Sequence, residues 1–332
     1  MTMMSFGVGL FATEPVEKMV KLAQLAESLG FESVWIGDSH LIWREPYVTM
    51  TACALGTSRV RLGTGVTNPL NRDVSVTASG FLALQELTRG RMALGIGLGD
   101  SAVRTMGARP VTLKTLEGAI DQIRRLHGGE TVPTPSGPQR LLAASGTSVP
   151  IYIAGSGPRL LELGGRIADG VIILVGVDPR FVDAGVAQVR RGAAAAGRSP
   201  DAVRTVLWVP YAMGGDTASL AAVKSHIARI IIRPLPVELD AMENDVAGRI
   251  KAEYDYYKHM DVQSDHGRLV PDSFVGRWAL AADGATCAEA VRQAARLGVD
   301  EVAIIPYAPP GVDRTEVISA FARDVIARVR QS

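Results

Sequence analysis

The sequence predicts an α/β fold, a (β/α)8 TIM barrel, and three observations support that prediction. Apolar runs of strand length alternate with amphipathic runs of helix length along the chain, as in a barrel of repeated strand–helix units. The apolar runs are rich in Val, Ile, Leu and Gly, as parallel strands buried on both faces should be. The 332 residues exceed the roughly 250 of a minimal barrel. An open doubly wound sheet is the alternative, but it normally has fewer strands and one dominant glycine fingerprint.

Eight apolar runs are predicted to be strands, and six segments between them have helical spacing. The strands are Ser5–Phe11, Ser33–Asp38, Val60–Val66, Arg91–Gly99, Val149–Gly155, Gly170–Gly176, Val203–Met213 and Glu301–Ala308. The helices are Pro15–Leu29, Tyr47–Thr57, Val74–Leu87, Leu113–Leu126, Pro158–Ile167 and Pro179–Ala196. Glycines that suit a helix C-terminus, Gly30 and Gly197, follow the first and the last of these helices.

The segment Gly214–Gly298 is too long for one connecting helix and is predicted to be a helical insertion between strands seven and eight. Its predicted parts are helices Leu220–Ile232, Leu239–Met260 and Asp283–Leu297 and a polar loop Gln263–Asp272. Three tyrosines, Tyr254, Tyr256 and Tyr257, lie in the second helix; they either line a substrate pocket or pack in the ordinary way. We expect one domain, residues 1–332.

Charge and composition exclude several classes of protein. A net charge of +1 gives no basic surface for nucleic acid or an anionic membrane. The N-terminus lacks a basic segment followed by an apolar run, and no apolar stretch approaches the ~20 residues of a membrane span, so we expect a cytoplasmic protein. The two cysteines, Cys53 and Cys287, fall on separate predicted helices. We therefore expect neither a disulfide framework nor a metal site.

Active sites of barrel enzymes lie at the C-terminal ends of the strands, so unusual strand ends are candidate site residues. The third strand ends in Thr64-Gly65-Val66-Thr67-Asn68-Pro69. Gly65 allows close approach of a ligand to the backbone, while Thr67 and Asn68 supply polar groups. An ordinary strand-to-helix turn would have a similar composition.

The fifth strand ends in Gly155-Ser156-Gly157-Pro158-Arg159, which predicts a phosphate site. Small residues leave backbone N–H groups accessible, proline suits the first helical turn, and Arg159 adds positive charge at a helix N-terminus. A plain helix cap is the alternative.

Three other strand ends supply candidate residues. Gly95, Gly97, Gly99 and Asp100 end the fourth strand; their spacing lacks the dinucleotide fingerprint but leaves room for a flat ligand. Gly176 ends the sixth and is a further candidate for cofactor binding. Asp38 and His40 end the second and are the candidate catalytic residues, although His40 would also suit a surface position.

These segments resemble the luciferase-like flavin and deazaflavin oxidoreductases, and within them the methylenetetrahydromethanopterin reductase-like group. The strongest resemblance lies in Leu29–Asp38, Leu62–Pro69, Leu94–Asp100 and Ile151–Gly170, the last containing Gly157-Pro158-Arg159 and Ala168-Asp169-Gly170. The resemblance implies a barrel with a late insertion, a homodimer or higher oligomer, and coenzyme F420, a deazaflavin, with its ring at the strand ends and its phosphate at the fifth-strand turn. It also implies a cis peptide between Gly65 and Val66.

A deazaflavin carries two electrons as hydride, so the resemblance implies hydride transfer to or from a small organic substrate. Asp38 and His40 would lie near the ring, with His40 as proton donor or acceptor. The alternatives are a monooxygenase that uses FMN and oxygen and a non-catalytic flavin-binding relative. The reductases of this group carry an acidic residue where this chain has Gly9 and a histidine where it has Ser39. We therefore expect an unsaturated carbonyl compound, an imine or another reducible metabolite rather than the pterin.

Overall fold

The computed structural model describes residues 4–144 and 146–331. Eight parallel strands form a closed barrel in which each strand pairs with its neighbours in sequence and the eighth pairs with the first. The strands are β1 (Ser5–Leu10), β2 (Ser33–Ile36), β3 (Arg61–Thr64), β4 (Met92–Ile96), β5 (Ile151–Gly155), β6 (Gly170–Ile173), β7 (Arg204–Tyr211) and β8 (Glu301–Pro306). Nearly all their residues are buried, as expected for strands with the barrel interior on one side and helices on the other. The predicted barrel is confirmed.

The helices surround the barrel. They are α1 (Val16–Ser28), α2 (Pro46–Gly56), α3 (Val74–Leu87), α4 (Ser101–Arg104), α5 (Leu113–His127), α6 (Pro158–Ile167), α7 (Pro179–Ala195), α8 (Thr217–Ile231), α9 (Ala241–Glu253), α10 (Asp265–Arg268), α11 (Asp272–Trp278), α12 (Gly284–Arg296), α13 (Arg314–Phe321) and α14 (Ala327–Arg330). A 3-10 turn (Pro200–Ala202) precedes β7, and a π-helical turn (Ala322–Ile326) joins α13 to α14. Helices α8 to α12 connect β7 to β8, where the sequence predicts an insertion.

Capping residues and amphipathic spacing explain where the helices form. The side chain of Asp73 accepts a hydrogen bond from the Ser75 backbone N–H at 2.8 Å and begins α3, which satisfies one of the N–H groups that a helix start leaves free. In α5, Leu116, Ile120 and Ile123 are buried, the spacing that turns one helical face toward the barrel.

The main errors in the predicted elements lie in the insertion. The helix predicted over Leu239–Met260 ends at Glu253, because the backbone of Tyr254 is extended, with φ −70° and ψ 114°. The three tyrosines predicted to be helical are therefore in a loop. The predicted polar loop Gln263–Asp272 contains the short helix α10, which Ser264 caps through the Gly267 N–H.

Within residues 4–144 and 146–331, no helix is long and apolar enough to cross a membrane. The same residues contain no group of three or more His, Cys, Asp or Glu side chains that could hold a metal ion. Cys53 and Cys287 are buried free thiols, and burial raises the pKa of Cys53 to about 12. A thiol with so high a pKa is a poor nucleophile at neutral pH.

Candidate functional site

A cavity of about 900 Å³ lies at the C-terminal ends of the strands. Its volume is near the upper end of the roughly 300–1,000 Å³ range of ligand pockets, so it has room for a cofactor and a small substrate. Most of the residues selected from the sequence line it: Asp38, Gly65, Val66, Thr67, Asn68, Gly97, Gly99, Asp100, Gly155, Ser156, Gly157, Pro158 and Arg159. His40, Gly95 and Gly176 are the selected residues that do not.

The turn after β3 begins with a cis peptide between Gly65 and Val66, as the resemblance implies. The structure changes the explanation for its glycine, because a Cβ on Gly65 would overlap the Trp208 indole inside the barrel. Likewise, a Cβ on Gly95 or Gly97 would lie 2.9 or 3.3 Å from a methyl group of Val66. A Cβ on Gly95 would also overlap the Thr64 backbone carbonyl. These glycines therefore accommodate other parts of the protein, and Val66 rather than empty space covers the end of β4.

Asp38 and Thr67 place two unpartnered polar atoms at the cavity. One carboxylate oxygen of Asp38 accepts a hydrogen bond from Arg72 at 2.7 Å, and Arg72 also contacts Glu45 at 2.5 Å. The other oxygen of Asp38 is buried with no partner, as is the Thr67 hydroxyl. The side-chain oxygen of Asn68 accepts two backbone N–H groups of the turn that follows it and so holds that turn. Buried polar atoms are almost always hydrogen-bonded, so Asp38 and Thr67 are suited to bind a ligand.

The turn after β5 has the features of an anion site. Helix α6 begins at Pro158 after Gly157, and no side chain caps its N-terminus. The free N–H groups of a helix N-terminus attract negative charge. Arg159 is exposed and, among the described residues, has no ion-pair partner. The predicted phosphate site thus has both the donors and the charge that it requires.

Asp100 connects the end of β4 to the insertion. Its carboxylate accepts hydrogen bonds from Arg229, from Arg233 at 3.1 Å and from Arg104 at 3.3 Å. Burial alone would raise the pKa of Asp100, but attraction to Arg229 and Arg233 outweighs burial and lowers that pKa to about 2. The carboxylate is therefore charged at neutral pH and serves mainly to position arginines, a role that the sequence does not indicate.

His40 and Gly176 lie away from the cavity. The His40 side chain is exposed, and its backbone carbonyl accepts a hydrogen bond from the Thr105 hydroxyl at 3.1 Å. Gly176 has a φ of +75°, and a Cβ there would lie 2.8 Å from the Arg277 carbonyl. Gly176 therefore allows the loop after β6 to pack against the end of α11. The geometry supports neither the catalytic role expected for His40 nor the cofactor contact expected for Gly176.

The insertion supplies a histidine that the sequence analysis missed. His259 lines the cavity, is 5% exposed, and its Nδ1 lies 2.7 Å from the Tyr254 hydroxyl. Its ring centroid lies 6.0 Å from that of Trp43, which also lines the cavity. Burial lowers the pKa of His259 well below its usual range, so the ring is neutral at pH 7. Tyrosines clustered before a histidine were the only signal of this contact in the sequence.

Ser39, which directly follows Asp38, is also at the cavity. It is 5% exposed, and its hydroxyl lies 2.6 Å from that of Ser101. The second strand thus presents Asp38 and Ser39 to the cavity and turns His40 away from it.

Comparison with known proteins shows what the chain is similar to. A family model described as luciferase-like monooxygenase matches residues 1–301. A 5,10-methylenetetrahydromethanopterin reductase from Methanolobus tindarius is 30% identical over 97% of this chain and 100% of its own. An F420-dependent glucose-6-phosphate dehydrogenase from Nocardia farcinica is 26% identical over 94% of each chain. The structure of the coenzyme F420-dependent tetrahydromethanopterin reductase from Methanopyrus kandleri superposes with a TM-score of 0.79 at 24% identity, covering 99% of this chain and 100% of the other.

Proposed function

Because the chain belongs to the luciferase-like monooxygenase family, we infer that it is an oxidoreductase that transfers hydride between coenzyme F420 and a small organic substrate. Several curated relatives act in this class: reductases of methylenetetrahydromethanopterin and F420-dependent dehydrogenases. The structural observation that carries the proposal is one cavity that combines unpartnered polar atoms at the strand ends with an uncapped, arginine-flanked helix N-terminus.

The residues present fit a deazaflavin with a phosphate. The buried Asp38 oxygen and Thr67 hydroxyl that lack partners are suited to the polar edge of a ring. The N-terminus of α6 and Arg159 are suited to the phosphate. Val66, Leu98 and Trp208 give the cavity apolar walls, which exclude water from a ring bound there.

When bound, F420 supplies hydride chemistry, so the protein has to bind, orient and exclude water. The turns after β3, β4 and β5 would fix the cofactor, and Arg72 keeps Asp38 oriented. Holding two reactants in contact accounts for much of the rate of such a reaction.

We propose His259 rather than His40 as the side chain that handles the proton. Burial raises the pKa of Tyr254, so its hydroxyl stays protonated and can donate to His259 Nδ1, which leaves Nε2–H for a substrate heteroatom. A neutral imidazole can polarise a carbonyl in this way without carrying charge. In the opposite direction of the reaction, Nε2 would accept the proton in the other neutral tautomer, in which Nδ1–H donates to the Tyr254 hydroxyl oxygen.

The substrate is proposed to be an unsaturated carbonyl compound, an imine or a similar metabolite rather than methylenetetrahydromethanopterin. At Gly9, where an acidic residue is expected in the pterin reductases that the sequence resembles, a Cβ would lie 2.8 Å from the Trp208 indole. The position therefore has no room for a carboxylate while that indole is in place.

We also propose a cytoplasmic homodimer or higher oligomer. Exposed apolar side chains on α2 and α3 support the oligomer, because Val48, Leu55, Val76 and Leu87 are 61%, 72%, 55% and 45% exposed. The two helices contact each other, and exposed apolar side chains on adjoining helices suit a protein interface. Light scattering of the parent and of a Val48→Glu/Leu55→Glu variant tests the proposal, since the variant should be smaller.

Titration with F420 and with FMN, read out by thermal unfolding, tests the cofactor. A ligand that binds only the native state at 100 times its Kd adds about 2.7 kcal/mol of stability. We expect F420 to raise the melting temperature more than FMN. Stabilisation by FMN alone would support an FMN-dependent monooxygenase, and stabilisation by neither would contradict the proposal.

A further inference from the structure

A second cavity of about 210 Å³ opens beside the main one. We call it the cationic side cavity. The residues that define it are Arg104, Arg229, Arg233, Lys251, Tyr254 and Tyr256. Three of them, Arg104, Arg229 and Arg233, also line the main cavity. A volume below the roughly 300 Å³ of the smallest ligand pockets fits one substituent of a molecule whose body lies in the main cavity.

The cationic side cavity has more positive than negative charge. Four cationic side chains surround it, and in the described part of the chain Asp100 is the one carboxylate that pairs with Arg104, Arg229 and Arg233. Lys251 is exposed and has no ion-pair partner among the described residues. Four positive charges and one negative charge leave an excess of three.

Neighbouring histidines do not change this balance. Burial lowers the pKa of His226 to about 3, with Arg233 and Arg229 adding to the effect, and burial also lowers the pKa of His259. Both rings are therefore neutral at pH 7. The Tyr254 hydroxyl is uncharged as well, because burial raises its pKa.

The arginines are held in place rather than free in solvent. The guanidinium of Arg104 lies 5.2 Å from the Tyr256 ring, and that of Arg229 lies 5.7 Å from the Tyr254 ring. The Arg229 side chain is 9% exposed, and the Nε of Arg233 is buried with no hydrogen-bond partner. Burying cations without matching anions is costly, and an unpaired buried donor is suited to an acceptor.

We propose that the cationic side cavity binds an anionic group, a carboxylate or a phosphate, of the molecule that occupies the main cavity. The proposal deepens the proposed function. It rests on that function only in the second of the two experiments below, which uses F420. Two sources share this chemistry: an acidic group of the cofactor other than the phosphate assigned to the turn after β5, and an acidic group on the substrate. In either case, the arginines select acidic ligands over neutral analogues of the same shape.

The first experiment uses inorganic phosphate and needs no cofactor. Because the turn after β5 is a separate proposed phosphate site, calorimetric titration is carried out in an Arg159→Gln background, at constant ionic strength. Adding Arg104→Gln and Lys251→Gln should weaken phosphate binding by up to about 25-fold, since each exposed ion pair contributes up to about fivefold in Kd. Arg249→Gln, on the same helix as Lys251 but outside the cavity, is the matched control. Equal Kd values in the cavity and control variants, or no phosphate binding in the background, would overturn the proposal.

The second experiment distinguishes the sources. If the cofactor supplies the anion, the Arg104→Gln/Lys251→Gln double variant binds F420 more weakly than the parent does but binds the phosphate-free ring fragment equally well. In that case F420 also displaces phosphate from the Arg159→Gln protein. If the substrate supplies it, the double variant binds F420 normally, and phosphate still binds to the F420-loaded protein. Both outcomes support the anion subsite. Failure of the parent protein to bind F420 would refute the proposed function, while the phosphate titration would still decide the subsite.

Discussion

Replacing Asp100 with asparagine should destabilise the protein, and the loss should shrink as the pH falls. The carboxylate of Asp100 is shared by three guanidinium groups, and the Arg229 side chain is only 9% exposed. Asparagine keeps the shape of the side chain but removes the only negative charge that pairs with these arginines in the described residues. Removing one partner of a buried ion pair typically costs about 3–5 kcal/mol.

The pH dependence follows from the pKa of Asp100. Burial raises it, but attraction to Arg229 and Arg233 prevails and lowers it from 3.8 to about 2. At about 1.4 kcal/mol per pH unit, the difference between 3.8 and about 2 corresponds to about 2 kcal/mol. Because the folded-state pKa is the lower one, this stabilisation is complete above the unfolded-state pKa and is lost as the pH falls through about 2.

Urea unfolding from about pH 7 to about pH 2 at constant ionic strength measures both effects. The difference in the free energy of unfolding between the parent and Asp100→Asn should shrink by up to about 2 kcal/mol as the pH falls across this range. Groups that titrate in both proteins cancel in that difference. Asp245→Asn is the matched control, because Asp245 is 70% exposed on α9 and its Arg249 partner is 3.9 Å away. A parent-to-variant difference that does not change with pH would refute the reasoning.

Three further predictions concern the main cavity. Arg159→Gln should raise the F420 Kd about tenfold, the lower end for a charge-assisted contact because this side chain is exposed. The Kd of the phosphate-free ring fragment should stay unchanged. Equal F420 affinities in the parent and the variant would exclude Arg159 from the site. His259→Gln should lower kcat by ~10²-fold or more with little change in cofactor Kd, whereas His40→Gln should keep parental kcat; the reverse pattern would restore His40 as the proton carrier. Gly65→Ala should lower the free energy of unfolding in urea by about 1–3 kcal/mol, because its methyl group would collide with an indole inside the barrel. Gly118→Ala on α5, with open space around it, is the control. Equal stability of the two variants would contradict the packing argument.

The barrel was predictable from sequence because its signals are local. Alternating strand and helix periods, stop glycines and capping residues lie within about fifteen residues of one another, and the rule that barrel sites lie at strand ends then gave the cavity turns. The helix predicted over Leu239–Met260 failed for the opposite reason. Its composition suits a helix up to Met260, but the extended backbone at Tyr254 allows the following segment to reach the end of α4. There the Tyr257 hydroxyl donates to the Thr105 carbonyl at 3.3 Å. Such tertiary contacts override local propensity.

The site was only partly predictable, because a residue type shows that something is required without showing which neighbour requires it. At Gly65 the absence of a side chain indicated a close approach, yet the approaching group is Trp208, far away in sequence. At Asp100 a carboxylate at a strand end suggested a ligand contact, yet its partners include Arg229 and Arg233, well over a hundred residues further along the chain. The same long-range contacts explain why the sequence does not reveal the cationic side cavity. Arg104 ends α4, Arg229 lies on α8 and Arg233 follows that helix, and only folding brings the three around a single carboxylate. Charge balance within a cavity is thus a property of the fold, and an excess of cations there points to an anionic ligand where no sequence motif does.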